Sequence, residues 1–389
     1  MILAAGVLLA VALQSFDTRR PLYGGTAVGL FTLLTIVTGL SMAWSVAPDL
    51  SLQELGRTFT YLAVFAVAVV AARTLPSAGR HLLTGILLAA VAICLWALAT
   101  RIWPASLGGD VLGARLGEPF DYWNALGGMA ALAVPGALWL GARRDATRVG
   151  AALAYPALGA LLLTIMLTQS RGALAAAVVA ALVWLAFVPL RLRTAPVLAV
   201  AAVGVAPVTA WALSQEAFTA ALQPLAVRED AAGTFGLLTV ATLAVLTGAG
   251  FAAVHIRATM RPSPEVRRRS GIGLAAGLAV VAVVGLVFVG AAGGGIGKQL
   301  DELTANQTTA PGSGAERLGS VSSSRGEYWR QAMDVFRDEP LLGRGADGFT
   351  LARLEYREDP RAASHAHGYL PQTMADLGLL GLLVALALL

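Results

Sequence analysis

Apolar residues fall into long blocks along this chain, separated by short linkers that hold most of its charge. A block of about 17–25 apolar residues can cross a hydrocarbon core of about 30 Å as a helix, which satisfies its backbone groups without water. The pattern predicts spans at residues 1–16, 23–46, 58–72, 82–102, 125–141, 149–168, 172–190, 195–213, 234–256, 271–293 and 370–389. The third is short, and the seventh and eighth are tightly joined. No positively charged segment precedes the first block, so no signal peptide is expected.

One stretch breaks the pattern. Residues 294–369 form a long polar loop between the last two blocks, and its first part, GGGIGKQLDELTANQTTAPGSGAERLGSVSSS, is rich in Gly, Ser and Thr. Its second part is patterned. Ser324 followed by Glu327 fits a capping box, Trp329, Met333 and Phe336 recur at helical spacing, and Pro340 ends the run. A second short helix is expected from about Gly348 to Arg357, with Phe349, Ala352 and Tyr356 on one face. Two amphipathic helices at a membrane surface would make a lid or platform. The expected fold is therefore all-α, a polytopic transmembrane helical bundle with a large outer-face loop. Residues 1–293 supply about ten spans, 294–369 the loop and 370–389 the final helix.

Composition agrees. The 389 residues are 57% hydrophobic and 13% charged, with a mean hydropathy of +0.71, which excludes a water-soluble globular class. The formal charge of +5 does not point to nucleic acid, because basic residues collect in short linkers. Arg19, Arg20, Arg73, Arg80, Arg143, Arg144, Arg148, Arg191, Arg193, Arg257, Arg261, Arg267, Arg268 and Arg269 fall on one side of the predicted bundle. Only Arg57, Arg101, Arg115, Arg171 and Arg228 fall in the short linkers of the other side. That asymmetry assigns the first set to the cytoplasm and the long loop to the outer face. The same topology leaves Met1 outside and Leu389 within a span, so a complete relative is expected to have further spans. Cys94 is the only cysteine and lies in an apolar block, which excludes a disulfide framework and a cysteine metal site.

Topology also sorts the candidate chemistry. His81 and His255 stand beside arginines at cytoplasmic span ends, where a structural role is expected; His365 and His367 alone face outward. An imidazole with an ordinary pKa near 6.5 is an available general base, although a solvated turn explains SHAH as well. Arg171, at a span junction, is either a snorkelling anchor or a grip on phosphate. Arg325 has a similar double reading at the start of the first loop helix, where the helix N-terminus also attracts an anion. Asn124, after the aromatic pair Tyr122 and Trp123, either bonds between helices or touches substrate. The loop carboxylates, Glu327 and Asp347 among them, read as solvated helix faces, and no HExxH pattern or phosphate-binding glycine loop is present.

At these residues the chain resembles the O-antigen ligase and polymerase superfamily. The resemblance rests on AWSVAPDLSLQELGR, RLGEPFDYWNALGG, LTQSRGALAA and SSSRGEYWRQAMDVFRDEPLLGRGADGF, and on a final element that reads His, Gly, nine residues, Gly378, two residues, Gly381, starting at His367. Gly368 departs from it, because the family usually has Asn, Ser or Gln there. The resemblance implies a membrane glycosyltransferase that moves a glycan from a polyprenyl-diphosphate carrier to an acceptor hydroxyl on a lipid, glycan or protein. It implies His367 as general base and Arg171 and Arg325 on the diphosphate, with inversion at the anomeric carbon and no metal or other cofactor. Arg115, Asn124, Arg330, Arg344 and His365 are weaker candidates for holding substrate. Ligation and repeat-unit polymerisation remain open within the family. A transporter or flippase for an anionic or lipid-linked substrate is the rival from another class; it would want polar groups deep in several spans, whereas the candidates here gather at the outer face. A scaffold for other cell-envelope enzymes is a third.

Overall fold

The computed structural model describes residues 24–74, 77–108, 114–259, 263–266, 268–273, 325–357 and 363–389. The expected span 1–16, nearly all of 271–293, the first part of the loop and Ser324 lie outside the described residues. Ten long helices occur among those described: α1 (Gly25–Leu40), α2 (Pro48–Thr74), α3 (Ala78–Ile102), α4 (Trp123–Ala142), α5 (Arg148–Thr168), α6 (Arg171–Phe187), α7 (Arg191–Leu213), α8 (Leu225–Thr259), α9 (Arg325–Asp338) and α10 (Tyr369–Leu388). Eight helices are long and apolar enough to cross a membrane, and α6 is a shorter apolar helix. No strand occurs among the described residues, so the fold is a polytopic helical one, as expected.

Two spans differ from expectation in length. The third expected span, residues 58–72, is the second half of a helix that starts ten residues earlier. Pro48 fixes a helical φ at the first position, Asp49 favours the positive end of the helix, and Arg57 pairs with Glu54 one turn away. Polar residues therefore lengthen the helix without breaking it. Helix α8 has 35 residues, about 52 Å at a rise of about 1.5 Å, and so outruns a hydrocarbon core of about 30 Å.

The described residues form two compact units. One contains α3 to α8. Its core surrounds α4 and α5, where Leu126, Ala130, Val134, Tyr155, Leu158 and Leu161 are almost completely enclosed. The other contains α1, α2, α9, α10 and the turns between α9 and α10. Leu34, Val37, Ala346, Leu377 and Val384 join α1 to α10, and a second cluster of Tyr328, Ala332, Val335, Phe349, Ala352, Ala366 and Ala375 joins the loop to α10.

The expected second loop helix appears as a short turn of α-helix, Phe349–Ala352, continued by a 3-10 turn, Arg353–Glu355. Phe349 and Ala352 are buried, as expected. Helix α9 also forms and ends at Asp338, before Pro340, but it buries a different face from the one expected. Tyr328, Gln331, Ala332 and Val335 point inward, whereas Trp329 is 39% exposed. The physical reason is that polar side chains of α9 are satisfied internally. Glu327, only 3% exposed, accepts from Arg330 and from Gln331 at 2.6 Å each, and Gln331 accepts from Arg353 at 2.8 Å. Buried polar groups with such partners cost little, so Glu327 belongs to the interior and not to a solvated face.

Candidate functional site

The turn between α9 and the Phe349–Ala352 helix is pinned on two sides. On one side, Trp44 donates to Leu342 O at 3.1 Å, Val46 N to Arg344 O at 3.1 Å, and Ser51 Oγ to Ala346 O at 2.6 Å. On the other side, Arg344 N donates to Ala375 O at 3.0 Å, and Leu379 N to Pro340 O at 2.8 Å. The second set exists because α10 is kinked at Gly378, whose φ of 60° and ψ of −155° are non-helical. The kink frees the amides beyond it from the helical ladder and turns them to the loop. The close approach excludes side chains. A Cβ on Gly378 would lie 2.5 Å from Leu341 O, and one on Gly343 would lie 2.5 Å from Asp376 O. The glycine of the Pro-Leu-Leu-Gly turn and the first glycine spaced from His367 are thus opposite faces of one backbone contact.

That contact carries the SHAH segment. Ala366 is fully buried, and its amide donates to Gln372 Oε1 at 2.7 Å. His367 follows with a φ of 53°, an uncommon left-handed conformation for a residue with a Cβ. Its ring lies 5.5 Å from that of Tyr328 on α9, at 42° between planes. Partial withdrawal from water, then the charge of Arg325, then that of His365, holds the imidazole below its ordinary value. His367 thus packs on the helix that Arg325 begins, and the expected base and anion grip belong to one unit. His365 Nδ1 lies 3.7 Å from Asp347 Oδ1. Burial raises the Asp347 carboxyl, against the lowering effects of His365 and Arg57, so Asp347 also differs from a solvated carboxylate.

The departure at Gly368 has a physical account. A Cβ there would lie 2.8 Å from Trp329 Nε1, so the indole occupies the space that a larger residue would take. Two weaker candidates are engaged with acids: Arg330 with Glu327 at 2.6 Å, and Arg344 with Asp338 at 3.7 Å. Sequence reasoning missed Tyr328, Gln372 and Asp376. Asp376 carried a signal, because a carboxylate inside an apolar span calls for a partner. It accepts from Phe349 N and from Gln372 Nε2, each at 2.8 Å.

Arg115, Asn124 and Arg171 gather in the other unit, where α4, α5 and α6 meet. Arg115 donates to the C-terminal carbonyls of α5, Thr168 O at 2.8 Å and Gln169 O at 3.1 Å, and its guanidinium lies 4.3 Å from the Trp123 ring centre. It therefore satisfies helix-end carbonyls that lack partners of their own. Ser170 caps α6 by accepting from Ala173 N, and its hydroxyl donates to Asn124 Oδ1 at 2.8 Å. Asn124 thus bonds between helices, one of its two expected readings. Arg171 is the first residue of α6 and is partly exposed. No cluster of three or more His, Cys, Asp or Glu suited to a metal ion occurs among the described residues.

With this geometry in hand, comparison with known families gives a match. Residues 230–386 match the family model described as O-antigen ligase. The resemblance to the O-antigen ligase and polymerase superfamily is thereby shown for this segment. Comparisons with curated proteins and with solved structures give no match. The ligase segment begins within α8 and takes in Arg325, the pinned turn, both histidines, Gly378 and Gly381. The elements around Trp44, Arg115, Asn124 and Arg171 lie before it. The chain is a multi-pass membrane protein, and its segment 230–386 is similar to the O-antigen ligase family.

Proposed function

We propose that this protein is a glycosyltransferase that moves a glycan from a polyprenyl-diphosphate donor to an acceptor hydroxyl at the outer face of a bacterial inner membrane. The observation that carries the reading is that the His367 ring packs 5.5 Å from Tyr328, one turn along the helix that Arg325 begins, inside the ligase-like segment. A histidine held below its ordinary pKa is neutral near pH 7 and can accept a proton. Arg325 begins a helix, so its guanidinium and the helix N-terminus both favour negative charge.

In the proposed reaction the acceptor oxygen attacks the anomeric carbon and inverts it. The bond from that carbon to the diphosphate oxygen breaks, and the electron pair leaves with the diphosphate. His367 takes the hydroxyl proton, while Arg325 stabilises the charge gathering on the leaving group. Arg171 is proposed as a further diphosphate-binding residue on the chemistry of its guanidinium, and it forms a separate arm of the test. His365, Arg115, Asn124, Arg330 and Arg344 are assigned to holding substrate or the residues around it.

The test uses the full chain in lipid nanodiscs with a labelled polyprenyl-diphosphate glycan and lipid, glycan or protein acceptors. His367→Ala and Arg325→Ala should each lower kcat/KM by at least about 100-fold while the protein stays inserted and monodisperse. Full activity in either variant would sink these assignments. Arg171→Ala is read in the same way, for Arg171 alone. Product length separates the two family activities: a single addition indicates ligation, and a ladder of repeat units indicates polymerisation.

A further inference from the structure

Between the two histidines runs a line of side-chain hydrogen bonds that ends deep in α10. Ala366 N donates to Gln372 Oε1 at 2.7 Å, Gln372 Nε2 donates to Asp376 Oδ2 at 2.8 Å, and Asp376 Oδ1 accepts from Phe349 N at 2.8 Å. The direction of the line is fixed by its ends. Both backbone amides can only donate, so Gln372 must present its oxygen to Ala366 and its NH2 to the carboxylate. Asp376 is 6% exposed, Ala366 is fully buried and Gln372 is half-buried between them, so both ends of the line are withdrawn from water.

His367 needs such support. Its left-handed backbone is uncommon for a residue with a Cβ, and in that conformation the ring lies 5.5 Å from that of Tyr328. Residues on the far side of His367 add one tie, Gln372 N to Gly368 O at 3.0 Å, so the first turn of α10 holds the peptide on both flanks of the histidine. Tyr328 from α9 packs on the imidazole, and the charged and titratable groups that act on it are Arg325 from α9 and His365 from its own segment.

We infer that Gln372 and Asp376 are positioning residues that hold His367 against α9, by fixing the direction of the amide before it. The inference deepens the reading of His367 as the base and rests on it for its catalytic meaning, but the placement itself is measurable without any glycan.

The polarity of the line makes a discriminating pair of variants. Asp376→Asn must keep an oxygen for Phe349 N, which turns its NH2 toward the NH2 of Gln372. Gln372→Glu removes the NH2 from which Asp376 accepts and sets a second carboxyl group against it. Each single change breaks the line, whereas the double variant Q372E/D376N restores it with the central donor and acceptor exchanged. The carboxylate introduced by Q372E would accept both from Ala366 N and from the NH2 introduced by D376N.

The probe is diethyl pyrocarbonate, which modifies the neutral imidazole, followed at His367 by mass spectrometry across pH in the detergent-purified full chain. In either single variant the rate at His367 should change about threefold or more, or its pH midpoint should rise toward the ordinary histidine value, and the double variant should return to wild-type behaviour. Wild-type profiles in both singles, or a double variant no closer to wild type than the singles, would overturn the inference. If the single variants do not fold, the double decides alone: a wild-type profile supports the line, and an altered profile rejects it. Because no transfer is measured, failure of the transferase reading and failure of the positioning role give different results.

Discussion

His367 stands at φ 53°, half-buried, and Arg325 and then His365 add to the effect of that burial on its ring. Surroundings of this kind disfavour the imidazolium, so activity that depends on a neutral base should rise with pH through a midpoint below about 6.5 and then level off. Arg325→Gln removes a like charge and should raise the midpoint, and His365→Gln should raise it less, since its influence ranks behind that of Arg325. A pH–rate profile of glycan transfer checks both; an unmoved midpoint in Arg325→Gln would show that the two side chains do not act on each other. The sign for stability follows from the same shift. The unfolded chain binds the proton more readily, so the contribution of His367 is full above its unfolded value and is lost as pH falls through the lower folded one. The two histidines and Arg325 were legible in the sequence because they lie in the one long polar loop, which arginine placement assigns to the outer face. Gln372 and Asp376 were not, since each lies in what reads as a continuation of the final span.

At the scale of elements, the sequence identifies α9 and its end but not its buried side. Periodicity assigns apolar residues to the interior, yet Glu327 and Gln331 go inward because Arg330 and Arg353 meet them there. A pattern that scores hydrophobicity alone has no access to a partner 22 residues away. The glycine spacing shows the converse: it is visible in the sequence, and its cause appears only when α10 kinks against the loop. Gly343→Ala and Gly378→Ala should each destabilise the protein by about 2–4 kcal/mol, from a left-handed backbone together with overlap at 2.5 Å. The two losses should not add, because both disrupt one contact. Gly29→Ala, with nothing within 4 Å of its added methyl, should be neutral or stabilising by up to about 1 kcal/mol. Thermal unfolding in detergent compares the three single variants and the Gly343→Ala/Gly378→Ala double variant with the wild type, and Gly343 and Gly378 variants as stable as Gly29→Ala would refute the close-contact account.

For the whole molecule, span positions are legible because a bilayer leaves a backbone few choices, and the nine expected spans that fall mainly among the described residues all appear as apolar helices. Span ends are less legible, because α2 and α8 continue as helices through residues polar enough to suggest a linker. Sidedness rests on arginine placement, and Cys94 makes it testable. This cysteine is the only one in the chain and is completely buried, so a thiol introduced elsewhere is read against a silent background. Ser106→Cys and Leu354→Cys should each react with a membrane-impermeant maleimide added to intact spheroplasts. Ala146→Cys lies in the linker with Arg143, Arg144 and Arg148, and it should react only after permeabilisation. Labelling of Ala146→Cys from outside would reverse the orientation. Protection of Leu354→Cys in intact cells with labelling after permeabilisation would be more damaging, since it would put His367 and Arg325 on the side opposite to the proposed outer-face glycan donor.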